Sequence, residues 1–123
     1  MAWTKPPQGM VDLFHACLPE GPGLERRRMF GQPCAFVNGN MFAGLLQEVA
    51  FARLPPTLHA ALDAEFGVRH FEPMPGRPMR AYVVLPDAVL EDEGRYSELL
   101  QAAYAFTSAM PPKDKKPRKP RKT

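Results

Sequence analysis

Ala35-Phe36-Val37-Asn38-Gly39-Asn40-Met41-Phe42-Ala43-Gly44-Leu45-Leu46 is the stretch on which the fold turns. Two apolar runs flank Asn38-Gly39, and an Asn-Gly pair supplies the positive φ that both centres of a two-residue turn require. The stretch predicts a β-hairpin. A second reversal at Gln47-Glu48 leads into Val49-Ala50-Phe51-Ala52-Arg53-Leu54. Three antiparallel strands in a meander are the simplest product.

Outward from the hairpin the pattern changes to helical spacing. On the amino-terminal side Met10, Leu13, Phe14, Cys17 and Leu18 recur at intervals of three and four, the stripe of a short amphipathic helix over residues 9–18. Pro19-Glu20-Gly21-Pro22-Gly23 stops it, and residues 24–30 read as a charged connector. On the other side Pro55-Pro56 ends the third strand and opens a helix to about Phe66, since proline suits a first helical turn and Gly67 suits the position past the end. Residues 68–71 read as a brief strand, and residues 72–78 as a loop too dense in proline to be regular. Met79-Arg80-Ala81-Tyr82-Val83-Val84-Leu85 is the clearest strand, followed by a short acidic connector over residues 87–92. Leu99, Leu100, Ala103, Tyr104, Phe106 and Thr107 then mark the longest helix, over residues 95–110, which Pro111-Pro112 ends. The fold class is α+β: a small antiparallel sheet, made of the three-strand meander plus one or two further strands, packed with about three helices.

The 123 residues suit one domain, and 45% hydrophobic content supports an ordinary core. No apolar run approaches the roughly 18 residues that cross a bilayer, and the amino terminus lacks the apolar stretch of a signal peptide. Cys17 and Cys34 have no partner spacing for zinc or for a redox pair, so both read as small buried hydrophobes. A cytoplasmic, reducing setting is expected. The net charge of +3 conceals a division. Residues 111–123 carry Lys113, Lys115, Lys116, Arg118, Lys119, Arg121 and Lys122 against Asp114, a net +6, which leaves −3 for residues 1–110. The expected organisation is a loose arm over residues 1–8, an α+β domain over 9–110 and a disordered basic tail over 111–123.

Arg28-Met29-Phe30-Gly31, the Asn38-Gly39 hairpin with Met41-Phe42-Ala43, Phe51-Ala52-Arg53-Leu54-Pro55, Phe71-Glu72-Pro73 and the run from Pro78 to Pro86 arrive in one order at one spacing. The set resembles the N-terminal domain family of TfoX/Sxy, the regulators of natural competence, over about residues 10–110. The resemblance implies the same α+β layout and a non-enzymatic role, the best-known members being transcriptional co-regulators of DNA-uptake genes. Full-length regulators of that kind carry a second, helical domain. Here the basic tail follows instead, so a single-domain member is expected.

The residues themselves offer several chemistries. Arg26-Arg27-Arg28 is either a phosphate or acidic-partner site, since guanidinium forks match phosphate oxygens, or a solvated connector in which Arg28 pairs with a carboxylate. The seven tail cations resemble basic arms that neutralise nucleic-acid phosphates; the plain alternative is a solubilising tail. His15, His59 and His70 fall on separate elements without metal spacing, and no nucleophile is partnered with one. Glu91, Asp92 and Glu93 precede the last helix, where capping explains them. Phe51 and Tyr82 could stack bases or fill the core. No catalytic residue, metal or cofactor is expected. The reading that follows is a regulatory or interaction protein whose tail gives weak nucleic-acid binding and whose body contacts a protein partner or a second copy. The alternatives are a dimerisation module with no nucleic-acid role and an enzyme holding a phosphorylated ligand at Arg26 to Arg28.

Overall fold

The computed structural model describes residues 6–29, 31–74 and 76–111. In chain order the elements are α1 (Gln8–Cys17), β1 (Leu24–Met29), β2 (Gln32–Val37), β3 (Asn40–Leu46), β4 (Val49–Ala52), α2 (Pro56–Phe66), β5 (His70–Met74), β6 (Arg77–Val84), α3 (Asp87–Leu90) and α4 (Glu93–Ser108). The six strands form one sheet in the order β1-β2-β3-β4-β6-β5, antiparallel throughout.

The α+β class stands, and the meander forms as its turns demand. Asn38 and Gly39 have φ of 52° and 83°, and Gln47 has φ of 56° at the second reversal. The sheet is nevertheless larger, at six strands, than the four or five expected from sequence. Residues 24–29 are β1 rather than a connector: they pair along their length with β2, from Leu24 opposite Val37 to Met29 opposite Gln32. An edge strand has water on one side and tolerates consecutive arginines, so no hydrophobic pattern announces it. Residues 72–74 and 77–78, expected within a loop, are strand instead. β5 runs through Pro73 to Met74, a turn at Gly76 with φ of 78° reverses the chain, and β6 begins at Arg77. Proline is admissible here because β5 is an edge and β6 meets β4 only at Val83 and Val84, which leaves Pro78 a neighbour on one side. The acidic connector contains the single-turn helix α3, which buries Val89 completely, and four residues are too few to show a period.

Alternation along the strands creates two clusters. Val37, Phe42, Leu45, Ala50 and Ala52 face the helices and join Phe14, Leu62, Val89, Tyr96, Leu99 and Leu100 in the main core. Cys34, Met41, Phe51, Phe71 and Tyr82 form a second cluster from strand residues of the opposite face. The Phe51 ring stacks on Phe71 at 4.0 Å and meets the Tyr82 edge at 5.7 Å, while the Tyr82 hydroxyl donates to the Met41 carbonyl at 2.9 Å. Phe51 and Tyr82 are 3% and 7% exposed, so they pack the interior and offer no open surface to bases. Cys17 lies in the main core and Cys34 in the second cluster, and neither is in a disulfide. Asp92 caps α4 by accepting from the Arg95 amide at 3.2 Å.

Gly44 opposes both Cys34 and Phe51 in the ladders. A Cβ there would stand 2.7 Å from Phe51 Cζ, 3.1 Å from the Pro33 carbonyl and 3.2 Å from Cys34 Sγ. Because a backbone oxygen cannot move as a side-chain tip can, Gly44→Ala is expected to destabilise the fold by roughly 1–3 kcal/mol, read as a lower urea midpoint at unchanged slope. Thr107 gives the opposite expectation. It is fully buried and its Oγ1 has no hydrogen-bond partner among the described residues. Thr107→Val removes the orphaned hydroxyl and should raise stability by about 1 kcal/mol in the same titration.

Candidate functional site

The three arginines stand on β1, exposed, at the edge of the sheet. Strand geometry divides them, because successive side chains point to opposite faces. Arg27 lies opposite Cys34, whose side chain belongs to the second cluster. Its Nη2 donates to Glu25 Oε1 at 2.7 Å and its guanidinium sits 4.8 Å from the centre of the Phe36 ring. The carboxylate pairing that one of the two readings gave to Arg28 is made, among the described residues, by Arg27. Arg26 and Arg28 lie opposite Ala35 and Pro33, and Ala35 belongs to the main core, so this pair shares the face that carries the helices. Among the described residues neither forms an ion pair; the pairs present there are Arg27–Glu25 and Arg95–Glu65.

His15 on α1 completes this group. Burial, then the charges of Arg26 and Arg28, hold its pKa below the ordinary 6.5, with Asp12 on the same helix opposing. Sequence reading missed the association, because His15 and Arg26 sit on different elements with no spacing rule to connect them.

The tail cations Lys113, Lys115, Lys116, Arg118, Lys119, Arg121 and Lys122 lie outside the described residues, as does Trp3. The root of the tail is defined. Asn40 Nδ2 donates to the Pro111 carbonyl at 3.1 Å, which places the end of α4 beside the β2–β3 turn. The Asn38 amide of that turn donates to the Gly23 carbonyl at 3.0 Å, and the Tyr104 hydroxyl donates to the Pro22 carbonyl at 2.8 Å. The tail thus leaves the body at the corner where β1 begins.

Two histidines expected to be separate meet in the structure. The rings of His59 on α2 and His70 on β5 are perpendicular at 5.3 Å, and His70 Nδ1 is buried without a hydrogen-bond partner among the described residues. Among the described residues no third histidine, cysteine or carboxylate joins them, whereas zinc takes three or four protein ligands. A groove of about 280 Å³ lies between the β3–β4 turn and the end of α2, lined by Glu48, Phe66, Val68, Arg69, Leu85 and Asp87. Its lining includes none of the three arginines of β1. Phe66 is 36% exposed, flanked by the Arg95 guanidinium at 5.4 Å, and Arg95 holds Glu65 by two hydrogen bonds.

The lowered pKa of His15 has a thermodynamic consequence. The unfolded chain takes up a proton near pH 6.5 that the folded protein resists, so stability falls as pH drops from 6.5 toward the folded pKa. His15→Gln should flatten this part of the profile, measured by thermal unfolding between pH 7.5 and 5. An unchanged profile would remove the charge crowding inferred at this corner.

The family model for the TfoX N-terminal domain matches residues 17–107. No curated protein and no solved structure matches the chain. The match begins in the last turn of α1 and ends in the last turn of α4, taking in the whole sheet and the corner that holds Arg26 and Arg28. With the hairpin, the strand order and the helical layer all inside that span, the chain belongs to the TfoX N-terminal domain family.

Proposed function

We propose that this chain is a non-enzymatic, cytoplasmic regulatory protein whose basic tail holds nucleic acid by charge while its acidic body contacts a protein partner. The family is a regulatory, competence-related one. The observation that carries the reading is the segregation of charge: seven cations and one acid in residues 111–123 against a net −3 in the rest. A short, proline-spaced cationic run has too little apolar surface to form a core, and neutralising phosphates releases counterions whatever the base sequence. A link to competence or transcription then requires a partner that supplies sequence recognition, because the tail reads only phosphate. Among the described residues no helix is long and apolar enough to cross a membrane.

A second reading, self-association with no nucleic-acid role, is favoured by one feature: the sheet ends on β1 and β5, whose outer edges have no strand partner among the described residues. The enzymatic alternative draws no support from the groove, whose lining carries Glu48 and Asp87 and lacks the β1 arginines.

Replacing all seven tail cations by glutamine in the full chain should abolish retention on duplex DNA at low salt. It should also reduce the slope of log K against log salt by up to about 6, at roughly 0.9 for each phosphate released. Retention unchanged by the replacement would refute the role of the tail. A concentration-independent dimer mass in light scattering, with retention unaffected, would establish the second reading.

A further inference from the structure

We infer that Arg26 and Arg28, with His15 beside them, form a phosphate-binding face on the edge strand that continues the tail's basic track across the body of the protein. The inference deepens the proposed function and rests on it for the identity of the ligand as a nucleic-acid backbone.

Three independent features support it. The first is the sorting of the arginines by strand alternation. Arg27 is committed to Glu25 and Phe36 on one face, while Arg26 and Arg28 share the other face and form no ion pair among the described residues. Residues two apart on a strand stand about 6.8 Å apart. Two guanidinium forks at that spacing can hold one phosphate between them or one each on successive phosphates.

The second feature is unrelieved like charge. Charged residues on an edge strand commonly serve to block strand pairing, and any outward-facing charge would do that. Here the charges of the two cations also add to burial in holding down the pKa of a half-buried histidine, against which Asp12 is the opposing acid among the described residues. A bound anion relieves that repulsion; edge protection leaves it in place.

The third feature is position. Pro111 is fastened to Asn40 at the β2–β3 turn, and that turn is fastened to Gly23 at the start of β1. From Leu24, Arg26 and Arg28 lie about 7 and 14 Å along the strand. The 12 residues that follow Pro111 can span up to about 40 Å. One phosphate backbone can therefore meet the tail and the β1 pair together, and tethering makes the second engagement intramolecular. A carboxylate-rich polypeptide would satisfy single arginines, but the continuous run of tail cations fits a polymer with regularly spaced phosphates better.

The test uses the full chain, a 20-base-pair duplex and a salt series. Arg26→Gln/Arg28→Gln should lower the slope of log K against log salt by about 2, and Arg27→Gln by close to zero. In the chain whose seven tail cations are glutamine, weak low-salt binding should persist and then vanish with the double substitution. Adding duplex should move the His15 titration, followed by its ring proton resonances, to higher pH in the natural chain and not in the double variant. Equal losses from Arg27→Gln and from the double variant would overturn the inference, reducing the effect to bulk charge. Binding of poly-glutamate as tight as binding of duplex would overturn it too. A double variant that binds as the natural chain does, while the tail variant does not, would remove the β1 face and leave the tail's role standing. The reverse pattern would keep the face and remove the tail.

Discussion

The left-handed backbone at Asn38 and Gly39, with φ of 52° and 83°, closes β2 onto β3, and most of the architecture hangs on that closure. It sets which residues of the two strands face the helices: Val37, Phe42 and Leu45 go into the main core, Phe36 and Met41 to the other side. A slip of one residue would exchange those sets, so the turn and the burial pattern enforce the same register. The turn is also a fastening point. Gly23 at the start of β1 and Pro111 at the end of α4 both bond to it or to the residue after it. Segments 88 residues apart in the chain are thereby brought to one corner.

Charge follows the same geometry. An edge strand is the one place in a sheet where three consecutive arginines can be accommodated, because each can turn toward water without leaving the ladder. Alternation then gives them unequal surroundings. Arg27 finds a carboxylate and an aromatic face, whereas Arg26 and Arg28 find a histidine and each other. The body is acidic in sum and basic at this corner, and the corner is where the cationic segment departs. A polyanion guided there meets less repulsion from the body than at any of its acidic faces.

The aromatic residues of the opposite face show how burial decides between two uses of one residue type. Phe51, Phe71 and Tyr82 form a stacked and edge-on group closed by the Tyr82 hydroxyl on the Met41 carbonyl, and the glycine at 44 makes room for the Phe51 ring. A ring used this way is unavailable to a base. Among the described residues the large apolar side chain left exposed is Phe66 at the far end of α2, beside a groove whose lining includes Glu48 and Asp87.

The sequence by itself determined the hairpin, the second reversal at Gln47, the three long helices, the cap at Asp92 and the division of charge. Each depends on neighbours within a few residues or on composition, which are present in the chain before it folds. It did not reveal β1, because an edge strand needs no hydrophobic alternation, nor the extension of β5 and β6 through Pro73 and Pro78, because proline is tolerated on a strand whose missing N–H would face away from its one partner. The candidate site was legible as a run of three arginines and a basic tail, and not as two arginines on the helix-bearing face of an edge strand that starts beside the root of the tail. Only the tertiary structure decided that, for a physical reason: which face a strand residue takes, and which distant segment stands beside it, follow from pairing between segments, and pairing is a non-local property.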